Sequence, residues 1–259
     1  MMLEWLVSYL LWISLSLLLA SALTKSGRVA ALGWGLFAFF WFGQIDHYLN
    51  IEDYFNVVLF FATGLLSFYM AGIMMNRGFS SKACCWVSYA ASACGLIYFP
   101  FAEIQSLQAW LIGFTTFITA RTLQVLSVPV TLESWNIMSL NGRSVEIILA
   151  CTAIESIALF AGVILSVQAP LGRKLKALAA STLSIYVLNI IRNGFVIMAY
   201  GWSWFGDESF DIAHNLIAKL GSTLALLAIS YLVFMLLPEL LSIIDELAAE
   251  VKPKRGDTA

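Results

Sequence analysis

The sequence predicts an all-α fold, a polytopic integral membrane helical bundle of about seven to eight transmembrane segments. Three observations carry this. Of 259 residues, 61% are hydrophobic and 12% charged, where a soluble domain has about a quarter charged. The mean hydropathy is +0.86. The apolar runs are about 20 residues long, the length a helix needs to cross the hydrocarbon core. Only helices or closed barrels satisfy backbone polar groups there. A net charge of −2 offers no electrostatic footprint for nucleic acid, so no such partner is expected. The four cysteines, with Cys84 and Cys85 adjacent, make no disulfide or zinc framework. Neither a metal nor an organic cofactor is expected.

Apolar segments fall at about 5–23, 29–45, 55–75, 83–101, 107–127, 145–167, 175–200 and 214–237. The first is long enough to remain as a span and is followed by Lys25 and Arg28, so no cleavable signal peptide is expected. Residues 1–238 read as a single transmembrane catalytic domain, with its motifs in 145–238. Residues 239–259 read as a cytoplasmic tail, amphipathic at LLSIIDELAAEV and basic at KPKRGD. The aromatic groups Trp41, Phe42, Tyr48 and Trp202, Trp204, Phe205 suit interfacial belts.

Loop charge orients the chain. Lys25 with Arg28, Arg77 with Lys82, and the Arg173, Lys174, Lys176 cluster are expected inside. Asp46, Glu52, Asp53 and Asp207, Glu208, Asp211 are expected outside. An even number of crossings must then separate Lys82 from Arg173, yet three apolar segments lie between them. The segment expected not to cross fully is 107–127, which carries Arg121 and runs into a polar, proline-containing stretch. Asn141-Gly142 predicts the tight turn of a short external hairpin.

The segment Val145–Val167, VEIILACTAIESIALFAGVILSV, is expected to be a spanning helix carrying Cys151 and Glu155 one turn apart on a single face. A lone intramembrane cysteine is ordinarily a small packed hydrophobe. The two following segments change its standing. With the orientation above, Cys151 lies roughly 9 Å below the outer end of its helix and Arg192 roughly 12 Å below the outer end of the next. His214 begins the last helix from the same side. Alone, Arg192 reads as a snorkelling anchor and His214 as a polar helix start. Together they bring a thiol, a guanidinium and an imidazole to one face. Asn189 and Asn193 flank Arg192, and Thr152 and Glu155 flank Cys151; these four are expected in supporting positions.

These residues also carry a resemblance. The stretches ACTAIES (Ala150–Ser156), LNIIRNGFVIMAYGWSWF (Leu188–Phe205) and AHNLIAKLGSTLALLAI (Ala213–Ile229), with LPEL after them, resemble the exosortase/archaeosortase family of membrane-embedded cysteine transpeptidases. The likeness extends over most of the chain, but its specific motifs occupy about 145–240. The family's catalytic set is Cys, Arg, and a third position that is Arg or His. Those positions match Cys151, Arg192 and His214. The best-known archaeal members carry arginine at the third, so His214 is a departure.

The resemblance implies a multi-pass protein of the cell membrane with its active site near the extracytoplasmic face. It implies substrates that end in a C-terminal sorting signal: a short motif (Pro-Gly-Phe in archaeal systems), a transmembrane helix, then a basic tail. Surface-layer or other exported proteins are the expected partners. A membrane lipid would receive the new C-terminus.

The chemistry suits those residue types. A thiol becomes nucleophilic as the thiolate, which a neighbouring cation favours. Cys151 would attack the scissile carbonyl, Arg192 would stabilise the oxyanion, and His214 would activate the thiol and protonate the leaving amine. Other classes stand beside this reading. A hydrolytic intramembrane protease shares the first half-reaction with water as acceptor. A transporter would show matched, broken half-repeats, and none is visible. A non-catalytic membrane scaffold would tolerate loss of Cys151.

Overall fold

The computed structural model describes residues 2–78 and 82–251 and is almost entirely helical. Helices α1 (Met2–Thr24), α2 (Gly27–Asn50), α3 (Tyr54–Arg77), α4 (Lys82–Glu103) and α5 (Gln105–Val125) follow one another with short links. A three-stranded antiparallel sheet comes next, β1 (Thr131–Leu132), β2 (Ile137–Leu140) and β3 (Arg143–Glu146). After a 3-10 turn at Leu149–Cys151, the chain continues into α6 (Ile154–Ser166) and α7 (Leu171–Gly201). A short turn α8 (Ser209–Asp211), a π-helix at Ile212–Ala218, α9 (Lys219–Leu236) and α10 (Glu239–Val251) complete it. The basic stretch KPKRGD lies outside the described residues.

Among the described residues, five helical segments are long and apolar enough to cross a membrane: Gly27–Asn50, Tyr54–Asn76, Lys82–Glu103, Leu171–Gly201 and Gly206–Leu236. The protein is a helical membrane protein. Large apolar side chains such as Val58 (67% exposed) and Leu224 (66% exposed) face outward, where lipid rather than water is the compatible solvent.

By contacts the chain forms two compact units, residues 1–96 with 165–168 and 239–259, and residues 97–164 with 169–238. In the first, Leu11, Leu15 and Leu18 of α1 are fully buried. The Ser92 hydroxyl donates to the Leu15 carbonyl at 2.9 Å, and Trp34 Nε1 donates to Ser88 Oγ at 3.0 Å. Gly95 permits that approach, since a Cβ there would stand 2.5 Å from Leu15 Cδ2. Asp53 caps α3 by accepting from the Asn56 N–H at 3.2 Å, a standard means of satisfying a helix's first donors. Trp41 and Tyr48 pack on Phe60, with ring centroids at 5.0 and 4.7 Å.

The second unit departs from the expected pattern in one place. The segment expected not to cross fully, 107–127, is the 21-residue helix α5, and it is not among the segments long and apolar enough to cross. A break falls in 145–167. Val145 and Glu146 belong to β3, Cys151 to the 3-10 turn, and only 13 residues, Ile154–Ser166, form α6. That helix is about 20 Å long, shorter than the roughly 30 Å hydrocarbon core. Val145–Val167 is therefore not one spanning helix, and Cys151 and Glu155 do not share a helical face.

Ala153, between them, has φ +65°, a left-handed conformation that a helix does not admit. Apolarity predicted the helix; the backbone turns because the β3 pairing reaches to Glu146 and holds the preceding residues extended. The expected hairpin is present. Asn141 and Gly142, with φ +54° and +76°, join β2 to β3 in the left-handed geometry that an Asn-Gly pair favours.

Candidate functional site

The hairpin is attached to the end of α7. Asn141 Nδ2 donates to the Gly201 carbonyl at 3.2 Å, and an Arg143 guanidinium nitrogen donates to the Tyr200 carbonyl at 3.2 Å. The same guanidinium lies over the Tyr200 ring, 5.0 Å from its centroid. Gly201 lets Leu140 sit against the helix, because a Cβ there would approach Leu140 Cγ to 2.6 Å. The sheet and the turn after it are thereby laid along α5 and α7.

Cys151 ends the 3-10 turn and is 9% exposed. Its side chain belongs to an apolar cluster with Ile112, Leu123, Met138, Leu140 and Ile197. Its backbone is held differently. Asn189 Nδ2 donates to the Cys151 carbonyl at 2.7 Å, and Asn193 Nδ2 donates to the same oxygen at 2.9 Å. Positions 189 and 193 are one helical turn apart, so both amides point from one face of α7. The two asparagines are buried, at 8% and 5% exposure. Both lone pairs of that carbonyl are thus occupied by the two residues that flank Arg192 in sequence. Thr152 is buried and turns inward locally, its hydroxyl donating to the Leu149 carbonyl at 2.7 Å. It shapes the turn.

Arg192 is partly buried on α7, and its Nε is enclosed without a hydrogen-bond partner. His214 sits within the π-helix, a rare, wide backbone form frequently found at functional sites. Its ring stacks on Phe210, with centroids 5.2 Å apart and planes 13° apart. Phe210 in turn meets the Tyr200 ring at 5.5 Å. The π-helix that carries His214 packs against α7, the helix that carries Arg192.

A cavity of about 650 Å³ opens beside these groups. Ala150 and Ala153 from either side of the thiol line it, with Glu155, Asn189, Arg192 and Lys219. Glu155 is exposed in the first turn of α6. Of the residues expected in the site, Asn189, Asn193 and the Cys151 backbone are joined by hydrogen bonds, Arg192 and His214 by the packing of their helices, and Glu155 by the shared cavity. Thr152 is confined to its own turn.

Sequence reasoning passed over Ala153, Lys219 and the Arg143–Tyr200–Phe210 stack that ends on His214. The spacing of Phe210 and His214, four apart, was a legible signal for the last contact. Lys219, a cation inside the apolar run 214–237, was legible in the same way; nothing in the sequence marked Ala153.

Residues 2–236 match the family described as "Transmembrane exosortase (Exosortase_EpsH)". The chain belongs to that family. It is 31% identical over 257 residues to Archaeosortase A of Haloferax volcanii, covering 85% of this chain and 83% of the relative. It is 28% identical over 259 residues to Archaeosortase A of Natronomonas pharaonis, covering 88% and 82%. No solved structure matches the chain. As an exosortase-family protein with membrane-spanning helices, it is a membrane protein-processing enzyme.

Proposed function

We propose that the protein is a membrane-embedded cysteine transpeptidase. It cleaves a C-terminal sorting signal of the Pro-Gly-Phe type from exported proteins, surface-layer proteins among them, near the outer face of the cell membrane. It then transfers the new C-terminus to a membrane lipid. The observation that carries this reading is the double hydrogen bond from Asn189 and Asn193 to the Cys151 carbonyl. Two amides gripping one backbone oxygen tie the thiol-bearing turn to the one stretch of α7 that also carries Arg192.

In the proposed reaction the Cys151 thiolate attacks the scissile carbonyl carbon. Arg192 stabilises the oxyanion, and its planar array of donors suits that task. The tetrahedral species collapses to a thioester as the carbon–nitrogen bond breaks, and the leaving amine takes a proton that His214 supplies. An amine or hydroxyl of a lipid headgroup then attacks the thioester. It loses a proton to His214 and returns Cys151 as thiolate. A site beside a cavity lined largely by apolar side chains suits a lipid as second substrate. The names of the relatives, both archaeosortases, support the sorting part of the reading.

Mass spectrometry of an exported substrate's C-terminus, with and without the enzyme, tests it. The expected product is shortened at the motif and carries a lipid-sized mass addition. A shortened product ending in a free carboxylate would make the enzyme a hydrolase. An intact C-terminus in the presence of active, inserted enzyme would overturn the reading.

A further inference from the structure

The cavity beside the Cys151 turn holds a cation that the proposed chemistry does not use. Lys219 lines it together with Arg192, and Lys219 is not paired with an acidic side chain among the described residues. Glu155 lines the same cavity without bonding to either. Lys219 is exposed and lies in a segment long and apolar enough to span the membrane. A cation in such a segment ordinarily faces a cavity and finds an anionic partner there. No acidic side chain of the described residues supplies one, which points to the occupant of the cavity.

The rest of the lining describes that occupant. From Lys219 the cavity runs along one face of α9, past Ala218, Gly221, Ser222 and Ala225 to Leu226 and Ile229. These positions recur at helical spacing, and their small side chains leave a trough. A Cβ placed on Gly221 would meet nothing within 4 Å, so the trough is open there. The opposite wall is apolar and comes from Ile185, Leu188 and Phe195 of α7. Cations at one place and a long apolar trough from it are complementary to an amphiphile with an anionic head.

A cavity of about 650 Å³ lies in the ordinary range for a ligand site, roughly 300–1,000 Å³, which suits a headgroup with part of one chain.

We infer that this cavity binds a membrane phospholipid, with Lys219 holding the headgroup phosphate and the α9 trough holding an acyl or isoprenoid chain. The inference rests on the transfer reading above, for which it supplies the acceptor's binding site and its chemical class. Ala150 and Ala153 line the same space, so a headgroup held by its phosphate lies beside the turn that carries the thiol. Lys219 is thereby assigned a binding role for the anionic headgroup.

The test uses the full-length Cys151→Ala protein in nanodiscs, which cannot form a thioester, so that binding is read apart from chemistry. Two photoactivatable lipids with the same diazirine-bearing chains are compared, a phosphatidylglycerol and a diacylglycerol lacking phosphate. The expected result is labelling of the peptide Ile217–Ile229 by the phospholipid in preference to the diacylglycerol. Lys219→Gln should lower that labelling about fivefold, as loss of one cation near a headgroup does, and Lys219→Arg should restore it. Gly221→Leu, which fits the open space, should block labelling without lowering the melting temperature.

Equal labelling by the two lipids, or labelling indifferent to Lys219→Gln and Gly221→Leu, would overturn the inference. Loss of labelling on adding inorganic phosphate would make a free anion the ligand and would overturn the lipid assignment. A synthetic spanning peptide that labels the trough when the phospholipid does not would do the same. If labelling stands but substrate carries no lipid, only the transfer reading fails. If lipid is transferred but labelling fails, only this site does.

Discussion

Cys84 and Cys151 are both buried thiols in apolar segments, and the chain treats them differently. Cys84 is 1% exposed and sits in the regular helix α4, its carbonyl accepting from the Ser88 hydroxyl one turn on. Cys151 is equally apolar in sequence context, yet its backbone leaves the helical path. A 3-10 turn carries it, two asparagines grip its carbonyl, and a left-handed alanine follows it. A small hydrophobe needs none of that. The contrast teaches that in a chain so uniformly apolar, the proposed nucleophile stands apart by the departure of its backbone from the regular helix. The residue type alone does not mark it.

The sharpest way to break the comparison is to exchange the two thiols' fates. Cys151→Ala should abolish processing while insertion and melting temperature stay near those of the parent, and Cys84→Ala should leave processing unchanged. Both are read by mass of the substrate C-terminus. A Cys151→Ala enzyme that still cleaves would return Cys151 to the same class as Cys84.

Next in size is Arg192→Lys. Lysine keeps the charge but not the fork of donors, so kcat should fall by roughly a hundredfold, the loss typical of one oxyanion donor. A KM effect alone would instead assign Arg192 to substrate binding.

The asparagine clasp should give a smaller effect on rate and a very small one on stability. Hydrogen bonds between helices in membranes are worth about 0.6 kcal/mol on average, so Asn189→Ala or Asn193→Ala should scarcely move the melting temperature. Displacing the Cys151 turn by even 1 Å is a catalytic matter, and kcat should fall at least about tenfold. A loss of stability with kcat intact would mean that the clasp only packs.

His214→Arg separates two roles. If the position supplies fixed positive charge, arginine serves, and the fall in activity as pH rises past the ordinary imidazole value of about 6.5 disappears. If it moves protons, arginine cannot, and a correctly inserted variant is inactive. The resemblance implies a third catalytic position that is arginine or histidine, and on that reading activity should be retained within a few-fold of the parent.

The smallest effect is expected at Ala153. Glycine accepts φ +65° without the roughly 1 kcal/mol left-handed penalty, offset by its greater unfolded freedom. Ala153→Gly should therefore be nearly neutral in melting temperature and activity. Ala153→Val, β-branched in a left-handed position, should lower both.

Composition and apolar run length by themselves determined the membrane-helical class and the positions of most helices. Burial in lipid leaves the backbone no alternative but to satisfy itself helically. Asn141-Gly142 determined its own turn, since few dipeptides accept two positive φ values. The motif residues Cys151, Arg192 and His214 were legible as a set, and so were the flanking asparagines. Their arrangement was not. Val145–Val167 is long and apolar enough to read as one helix, and no local signal says that β3 pairing and the Ala153 turn interrupt it.

The interruption was decided by tertiary contacts: the hairpin anchored through Asn141 and Arg143 to the end of α7, and the Cys151 carbonyl held by Asn189 and Asn193. The π-helix around His214 and the cavity that gathers Lys219 with Arg192 are likewise products of packing between α7 and α9. Residues far apart in sequence meet there, and spacing along one helix carries no information about which face of another it will find.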